Sequence, residues 1–152
     1  MKSSKQKLIV FLATGGLIGF SPVAPGTFGS LAALPLCLLV STLHGEVALI
    51  VVVMVIAAST WVADSAEKIE HRKDPQQVVI DEICGMLVAL FALPFTPGFV
   101  VAGFFLFRLF DIYKPFPIRW FDRHVAGGAG IMLDDIVAGL FTNGLLHIGS
   151  YI

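Results

Sequence analysis

The uninterrupted apolar run VALIVVVMVIAASTWVA, at residues 47–63, decides the fold class of this chain. An α-helix needs about 17 to 25 apolar residues to cross the hydrocarbon core of a bilayer, and no charge interrupts this run. A second segment of spanning length covers residues 131–152, where Asp134 and Asp135 are the only charged residues. The pattern predicts an all-α protein, built as a compact integral membrane bundle.

The composition supports a membrane protein. Of the 152 residues, 57% are hydrophobic and only 14% are charged, whereas a soluble domain has about 25% charged residues to cover its surface. The formal net charge of −1 provides no long-range field for a polyanion, so we expect no nucleic-acid partner. Cys37 and Cys84 lie in apolar runs and are interpreted as buried apolar residues. With no internal repeat, residues 1–152 are predicted to form one helical membrane domain.

Proline and glycine residues mark the remaining helix boundaries. Asp74-Pro75 is typical of a helix start, Thr96-Pro97 starts a second helix, and Lys114-Pro115 ends it. Residues 75–113 are therefore predicted to form a helical hairpin with its charges at the end away from the turn. A Pro/Gly-rich loop at 21–30 precedes a predicted helix at 27–43. A helix at residues 8–20 would be too short to cross the hydrocarbon core of a bilayer comfortably, so we expect a re-entrant or interfacial helix there.

The basic residues indicate an orientation. They gather in three islands, at 2–7, 68–73 and 108–123. Since lysine and arginine favour the cytoplasmic side, four crossings followed by a fifth would place all three islands there. Every acidic island of the chain then falls on the same face.

Two pairs of adjacent acids, Asp81-Glu82 and Asp134-Asp135, interrupt the apolar segments. A carboxylate in the middle of a span costs about 2.5 to 3.5 kcal/mol, so such a group of acids favours a bound cation. Carboxylate oxygens are the ligands that Mg²⁺ prefers, together with the oxygens of a phosphate. These four acids are the predicted metal ligands, and Asp64 is a further candidate.

An alternative explanation applies to Asp134 and Asp135. They could simply favour the positive end of a helix that follows the glycines at 127–130. This does not explain Asp81, which lies well past the predicted cap of its own helix. Glu67 and His71 have metal-ligand spacing, but their many charged neighbours favour a solvated face.

Cations follow the second arm of the hairpin. Arg108, Lys114 and Arg119 could bind a phosphate that the acids hold through a metal, and Asp111 is spaced to pair with Arg108. The aromatic residues 120–121 nearby are equally typical of a membrane interface. Thr27 and Ser30, at the start of the helix after the Pro/Gly loop, provide a second anion site, with Thr27 as an ordinary N-cap the alternative.

Four blocks together resemble the bacterial phosphatidylglycerophosphatase A family. They are SPVAPGTFGS at 21–30, DEICGM at 81–86, RLFDIYKPFPIRWFD at 108–122 and GGAGIMLDDIVAG at 127–139. The resemblance implies a small all-helical enzyme of the bacterial inner membrane. It also implies the reaction, the Mg²⁺-dependent removal of phosphate from phosphatidylglycerol phosphate.

We therefore expect a multi-pass lipid phosphatase whose active site faces the cytoplasm. Its partner is a membrane phospholipid substrate, and no obligatory protein partner is evident. Asp81, Glu82, Asp111, Asp134 and Asp135 are the predicted catalytic residues, one of which positions water. Neither Asp-x-Asp-x-Thr/Val nor Cys-x5-Arg occurs, so a metal-activated water is the simplest nucleophile. A small ion- or proton-coupled transporter and a purely structural subunit are the alternatives, since intramembrane acids also mark ion paths.

Overall fold

The computed structural model describes residues 3–72 and 75–150, and within these residues the chain is helical with no strand. The prediction of an all-α protein is confirmed. A 3-10 turn covers Ile18–Phe20, between the first two α-helices. The α-helices are α1 (Ser4–Ala13), α2 (Pro25–Ala32), α3 (Leu34–Ser41), α4 (Gly45–Glu70), α5 (Ile80–Ala89), α6 (Pro97–Tyr113), α7 (Ile118–His124) and α8 (Gly127–Ser150).

Among the described residues, two helices are long and apolar enough to cross a membrane, α4 with 26 residues and α8 with 24. Helix α4 contains the span predicted at 46–63, and α8 covers the span predicted at 131–152 as far as Ser150, the last described residue. The second arm of the hairpin, α6, has the predicted bounds. Cys37 and Cys84 are free and buried, as expected.

The short helix α5 lies in the core and packs most closely on α8. A Cβ atom on Gly139 would overlap the carbonyl oxygen of Gly85, so the two backbones touch where both residues are glycine. The helices run in the same direction, because Gly85 faces Asp135 at one end and Asn143 reaches Ala89 at the other. This contact holds the start of α5 beside the third turn of α8.

The first arm of the hairpin is shorter than predicted, since α5 begins at Ile80 and not at residue 75. The proposed cap, Asp74, lies outside the described residues. The Val79 amide donates to the carbonyl of Ala13 at 2.9 Å, and Gly19 packs against the Gln77 carbonyl. These tertiary contacts hold residues 75–79 out of the helix. As a result, Asp81 and Glu82 lie in the first turn of α5.

The opposite correction applies to α8, which begins at Gly127 and includes the glycines that were expected to precede it. Gly128 fits closely against α4 at the Thr60 carbonyl, where a side chain would collide. Asp134 and Asp135 are therefore two turns into the helix, beyond the reach of its N-terminal dipole. The dipole explanation fails for this pair and applies to Asp81-Glu82 instead.

The amino-terminal third also differs in its helix boundaries. The expected helix at 8–20 is α1, which starts with a capping box at Ser3 and is followed by Gly15 and Gly16 at φ 56° and 70°. The expected helix at 27–43 is divided into α2 and α3. Thr27 is not the N-cap, because α2 begins at Pro25 with Ala24 as the cap.

Candidate functional site

Three acids from two helices meet at one point. Asp81 and Glu82 lie in the first turn of α5, and Asp135 comes from α8. One carboxylate oxygen from each lies within 4.8 Å of the other two. Asp135 is buried, with 2% of its surface exposed, and the other two are partly buried. The structure thus brings the two predicted acidic pairs together.

A cavity of about 380 Å³ opens beside this acidic cluster. Its charged residues come from α5, α8, α6 and the residue that follows α6, and its remaining wall comes from the start of α2 and the segment before α5. The charged lining residues are Asp81, Glu82, Arg108, Asp111, Lys114, Asp134 and Asp135. The charged ends of the hairpin arms are neighbours, as the sequence predicted.

Several buried polar atoms around the cavity have no hydrogen-bond partner within the described part of the chain. These atoms are Glu82 Oε2, Asp134 Oδ1, Asp135 Oδ2 and Arg108 Nε. Buried polar atoms are normally paired, so an unpaired group of this kind indicates a site for an ion or ligand. Burial also raises the pKa of Glu82 above its usual value. Three carboxylates at this spacing fit a small divalent cation with oxygen ligands.

The two cations of the cavity are held by carboxylates. Arg108 Nη1 donates to Asp111 Oδ2 at 2.5 Å. Lys114 Nζ donates to Asp134 Oδ2 at 2.5 Å and to Asp122 Oδ1 at 2.8 Å. Burial lowers the pKa of Lys114, but the hydrogen bonds to the two carboxylates outweigh it and keep the pKa above its usual value. An ammonium has three donors, so one remains for a ligand.

The adjacent acids of α8 therefore have different neighbours. Successive residues of a helix diverge by about 100°. Asp135 points towards Asp81 and Glu82, whereas Asp134 points towards Lys114.

The start of α2 approaches the acidic cluster closely. A Cβ atom on Gly26 would overlap Glu82 Oε1 and would lie 3.2 Å from Arg108 Nη1. Only glycine leaves room for these side chains. Gly26, Gln76 and Asp122 are residues of this region that sequence reasoning did not assign, and Gly26 was visible only as part of the Pro/Gly loop.

Four predicted site residues lie elsewhere. Thr27 and Ser30 do not line the cavity, and the Ser30 hydroxyl donates to the Gly26 carbonyl at 2.9 Å. Arg119 is exposed and donates to the Tyr113 carbonyl at 3.2 Å. Asp64 lies outside the acidic cluster.

The carboxylate of Asp64 instead joins α4 to α8. It accepts hydrogen bonds from Lys68 Nζ at 2.6 Å and from the Gly128 amide at 3.3 Å. These bonds give it the role of a cap on the first turn of α8. His71 ends α4 in a left-handed conformation, φ 51°, and so does not continue the helical face of Glu67.

Comparison with known proteins gives consistent matches over most of the chain. The sequence model of the family described as phosphatidylglycerophosphatase A matches residues 11–150. The chain is 44% identical over 137 residues to phosphatidylglycerophosphatase A of Escherichia coli, covering 90% of this chain and 80% of that protein. The protein of the same name from Haemophilus influenzae is 37% identical over 142 residues, covering 92% and 87%.

A third relative is named for a different substrate. A putative phosphatidylinositol-3-phosphatase of Bacteroides thetaiotaomicron is 36% identical over 153 residues, covering 95% of each chain. No solved structure is significantly similar to the chain.

Proposed function

The chain belongs to the phosphatidylglycerophosphatase A family and is a phosphatase, and from this premise we propose that it hydrolyses phosphatidylglycerol phosphate in a Mg²⁺-dependent reaction. The products are phosphatidylglycerol and inorganic phosphate. The observation that carries the proposal is the convergence of three carboxylates within 4.8 Å, beside two cations in one cavity.

The residues of the cavity divide into two groups. Asp81, Glu82 and Asp135 would hold the cation, which when bound neutralises phosphate charge and lowers the pKa of water. Arg108 and Lys114 would donate to the phosphate oxygens. Since phosphoryl transfer depends mainly on positioning and charge neutralisation, this group would stabilise the charge of the transition state.

The remaining acids have supporting roles in this proposal. Asp111 orients Arg108, and Asp134 orients Lys114, through the short hydrogen bonds described above. The acid that positions the attacking water would be Asp111 or a member of the acidic cluster. The bond that breaks joins phosphorus to the headgroup oxygen, which leaves as the alcohol of the product lipid.

The names of the relatives support a lipid substrate. All three describe phosphatases whose names refer to a phospholipid with a phosphorylated headgroup. Two of them refer to phosphatidylglycerol phosphate, which is the substrate we propose for this chain. None of the three supports the transporter alternative.

We further propose that the chain is a multi-pass protein of the bacterial inner membrane, with the cavity on the cytoplasmic side. The two long apolar helices support this location. So do the large apolar side chains exposed along α4, including Ile50 and Met54 with 63% and 65% of their surfaces accessible. Apolar surface of this extent would be covered by lipid chains in a bilayer.

The direct test measures phosphate release by the purified protein from phosphatidylglycerol phosphate and from phosphatidylinositol 3-phosphate. We expect release from the first lipid with Mg²⁺ and none with a chelator. Asp81→Asn should abolish turnover while the protein remains folded, whereas Asp64→Asn, outside the cluster, should retain it. Full activity of Asp81→Asn would remove this residue from the site. A purely structural subunit would release no phosphate under any condition.

A further inference from the structure

An apolar groove of about 640 Å³ lies on the surface between α2 and the turn that precedes it. Leu17 and Phe20 form one wall, and Phe28 and Leu31 form the other. All four side chains are exposed, with Phe20 at 54% and Phe28 at 47%. No charged residue lines the groove within the described part of the chain.

One wall of the groove is continuous with the acid-lined cavity through α2. Residues 25, 28 and 32 are spaced by three and four positions and therefore share one face of this helix. Pro25 lines the cavity, whereas Phe28 and Ala32 line the groove. Three residues of helix rise by about 4.5 Å, so the groove begins within one turn of the cavity rim.

The opposite wall leads to the cavity as well. Gly19, within the turn that carries Leu17 and Phe20, packs so closely against the Gln77 carbonyl that a side chain would collide with it. The neighbouring residue Gln76 lines the cavity. Both walls of the groove therefore lie next to segments that line the cavity.

We propose that this groove binds an acyl chain of the phospholipid whose headgroup phosphate enters the cavity. The inference rests on the proposed function and adds a second binding site for the same substrate. A phospholipid joins a charged headgroup to apolar chains through a glycerol, which matches a charged cavity that continues into an apolar groove. Along α2, about 9 Å separate Pro25 from Leu31, a distance that the glycerol backbone of the lipid would bridge.

The groove gives the enzyme a means of selecting acylated substrates. A water-soluble headgroup without acyl chains would occupy the cavity alone, whereas a short-chain lipid would also bury methylene groups against Phe28 and Leu31. Each methylene moved out of water contributes about fourfold in affinity. We therefore expect a higher kcat/KM for dihexanoyl phosphatidylglycerol phosphate than for glycerophosphoglycerol phosphate, its deacylated counterpart.

The first experiment compares these two substrates in matched variants of the full chain. Phe28→Ser should lower kcat/KM for the dihexanoyl lipid, relative to kcat/KM for its deacylated counterpart, about tenfold. Phe105→Ser is the control, because Phe105 is 66% exposed on α6 and lines neither the groove nor the cavity. An unchanged ratio in Phe28→Ser, or an equal loss in both variants, would overturn the proposal. If the wild-type protein released phosphate from neither of the two substrates, this would instead refute the proposed function.

The second experiment locates the acyl chain directly. Phosphatidylglycerol phosphate with a diazirine at the end of one acyl chain is photolysed with the wild-type protein, and the labelled peptides are identified by mass spectrometry. Phosphatidylcholine with the same diazirine reports general lipid contact. Labelling at 17–20 or 28–32 in excess of this background supports the groove, and a pattern identical to the background contradicts it.

Discussion

Replacement of Asp135 by asparagine should stabilise the cation-free protein and inactivate the enzyme. The carboxylate lies within 4.8 Å of oxygens from Asp81 and Glu82. At an effective dielectric constant near 20, two unit charges at this distance repel by about 3.5 kcal/mol. A proton on one acid relieves part of the repulsion. We therefore expect the neutral asparagine side chain to raise the free energy of unfolding by about 1 to 2 kcal/mol. Asparagine has the same shape and keeps the packing of α8 on α5.

The measurement is thermal unfolding in detergent, followed by tryptophan fluorescence with a chelator and then with Mg²⁺. For a chain of this size the gain corresponds to a Tm increase of roughly 2–8 °C without the cation. Mg²⁺ should raise the Tm of the wild-type protein strongly and that of Asp135→Asn only slightly. Phosphate release by the variant should fall about a hundredfold or more.

If Asp135→Asn melts below the wild-type protein without the cation, and Mg²⁺ still raises its Tm by the wild-type amount, the three acids do not form a cation site. Asp64→Asn is the matched control, because that acid already has partners in Lys68 and the Gly128 amide. Asp64→Asn should not show the increase in Tm that we expect for Asp135→Asn without the cation.

Three further substitutions test other parts of the structure. Asp64→Asn should lower the Tm through loss of the α8 cap while activity is retained, and a large loss of activity would contradict its position outside the site. Gly26→Ala should reduce phosphate release by displacing the adjacent carboxylate, whereas Gly98→Ala, with open space around it, should not; equal activities would refute the close fit. Lys114→Met leaves Asp134 without its cation, so the free energy of unfolding should fall by about 2 kcal/mol or more. Inorganic phosphate should also inhibit this variant more weakly than the wild-type protein. Unchanged inhibition would exclude the lysine from phosphate binding.

Helix boundaries that depend on local chemistry could be predicted from the sequence. The bounds of α6 follow from Thr96-Pro97 and Lys114-Pro115, which act on their own backbone. The start of α5 could not be predicted this way, because it depends on the bond between Val79 and Ala13, far apart in the chain. The start of α8 could not be predicted either. The glycines at 127–130 are typical of a loop, and their place in the helix depends on the packing of Gly128 against α4.

The candidate site shows a similar division. Acids and cations are rare in so apolar a chain, so Asp81, Glu82 and Arg108 were conspicuous without a structure. The positions of Asp122 and Gly26 follow only from the packing of distant helices. Arg119 was predicted from its charge, but charge does not show which way a side chain points.

The direct backbone contact between Gly85 and Gly139 affects the size of the cation that the acidic cluster would accept. Because main-chain atoms and not flexible side chains set the separation of α5 and α8, the Cα atoms that carry the three acids cannot easily move apart. Mg²⁺ binds oxygen at about 2.0–2.1 Å and Ca²⁺ at about 2.3–2.6 Å with more ligands. An inflexible frame of this kind favours the smaller ion, so calcium should occupy the pocket poorly.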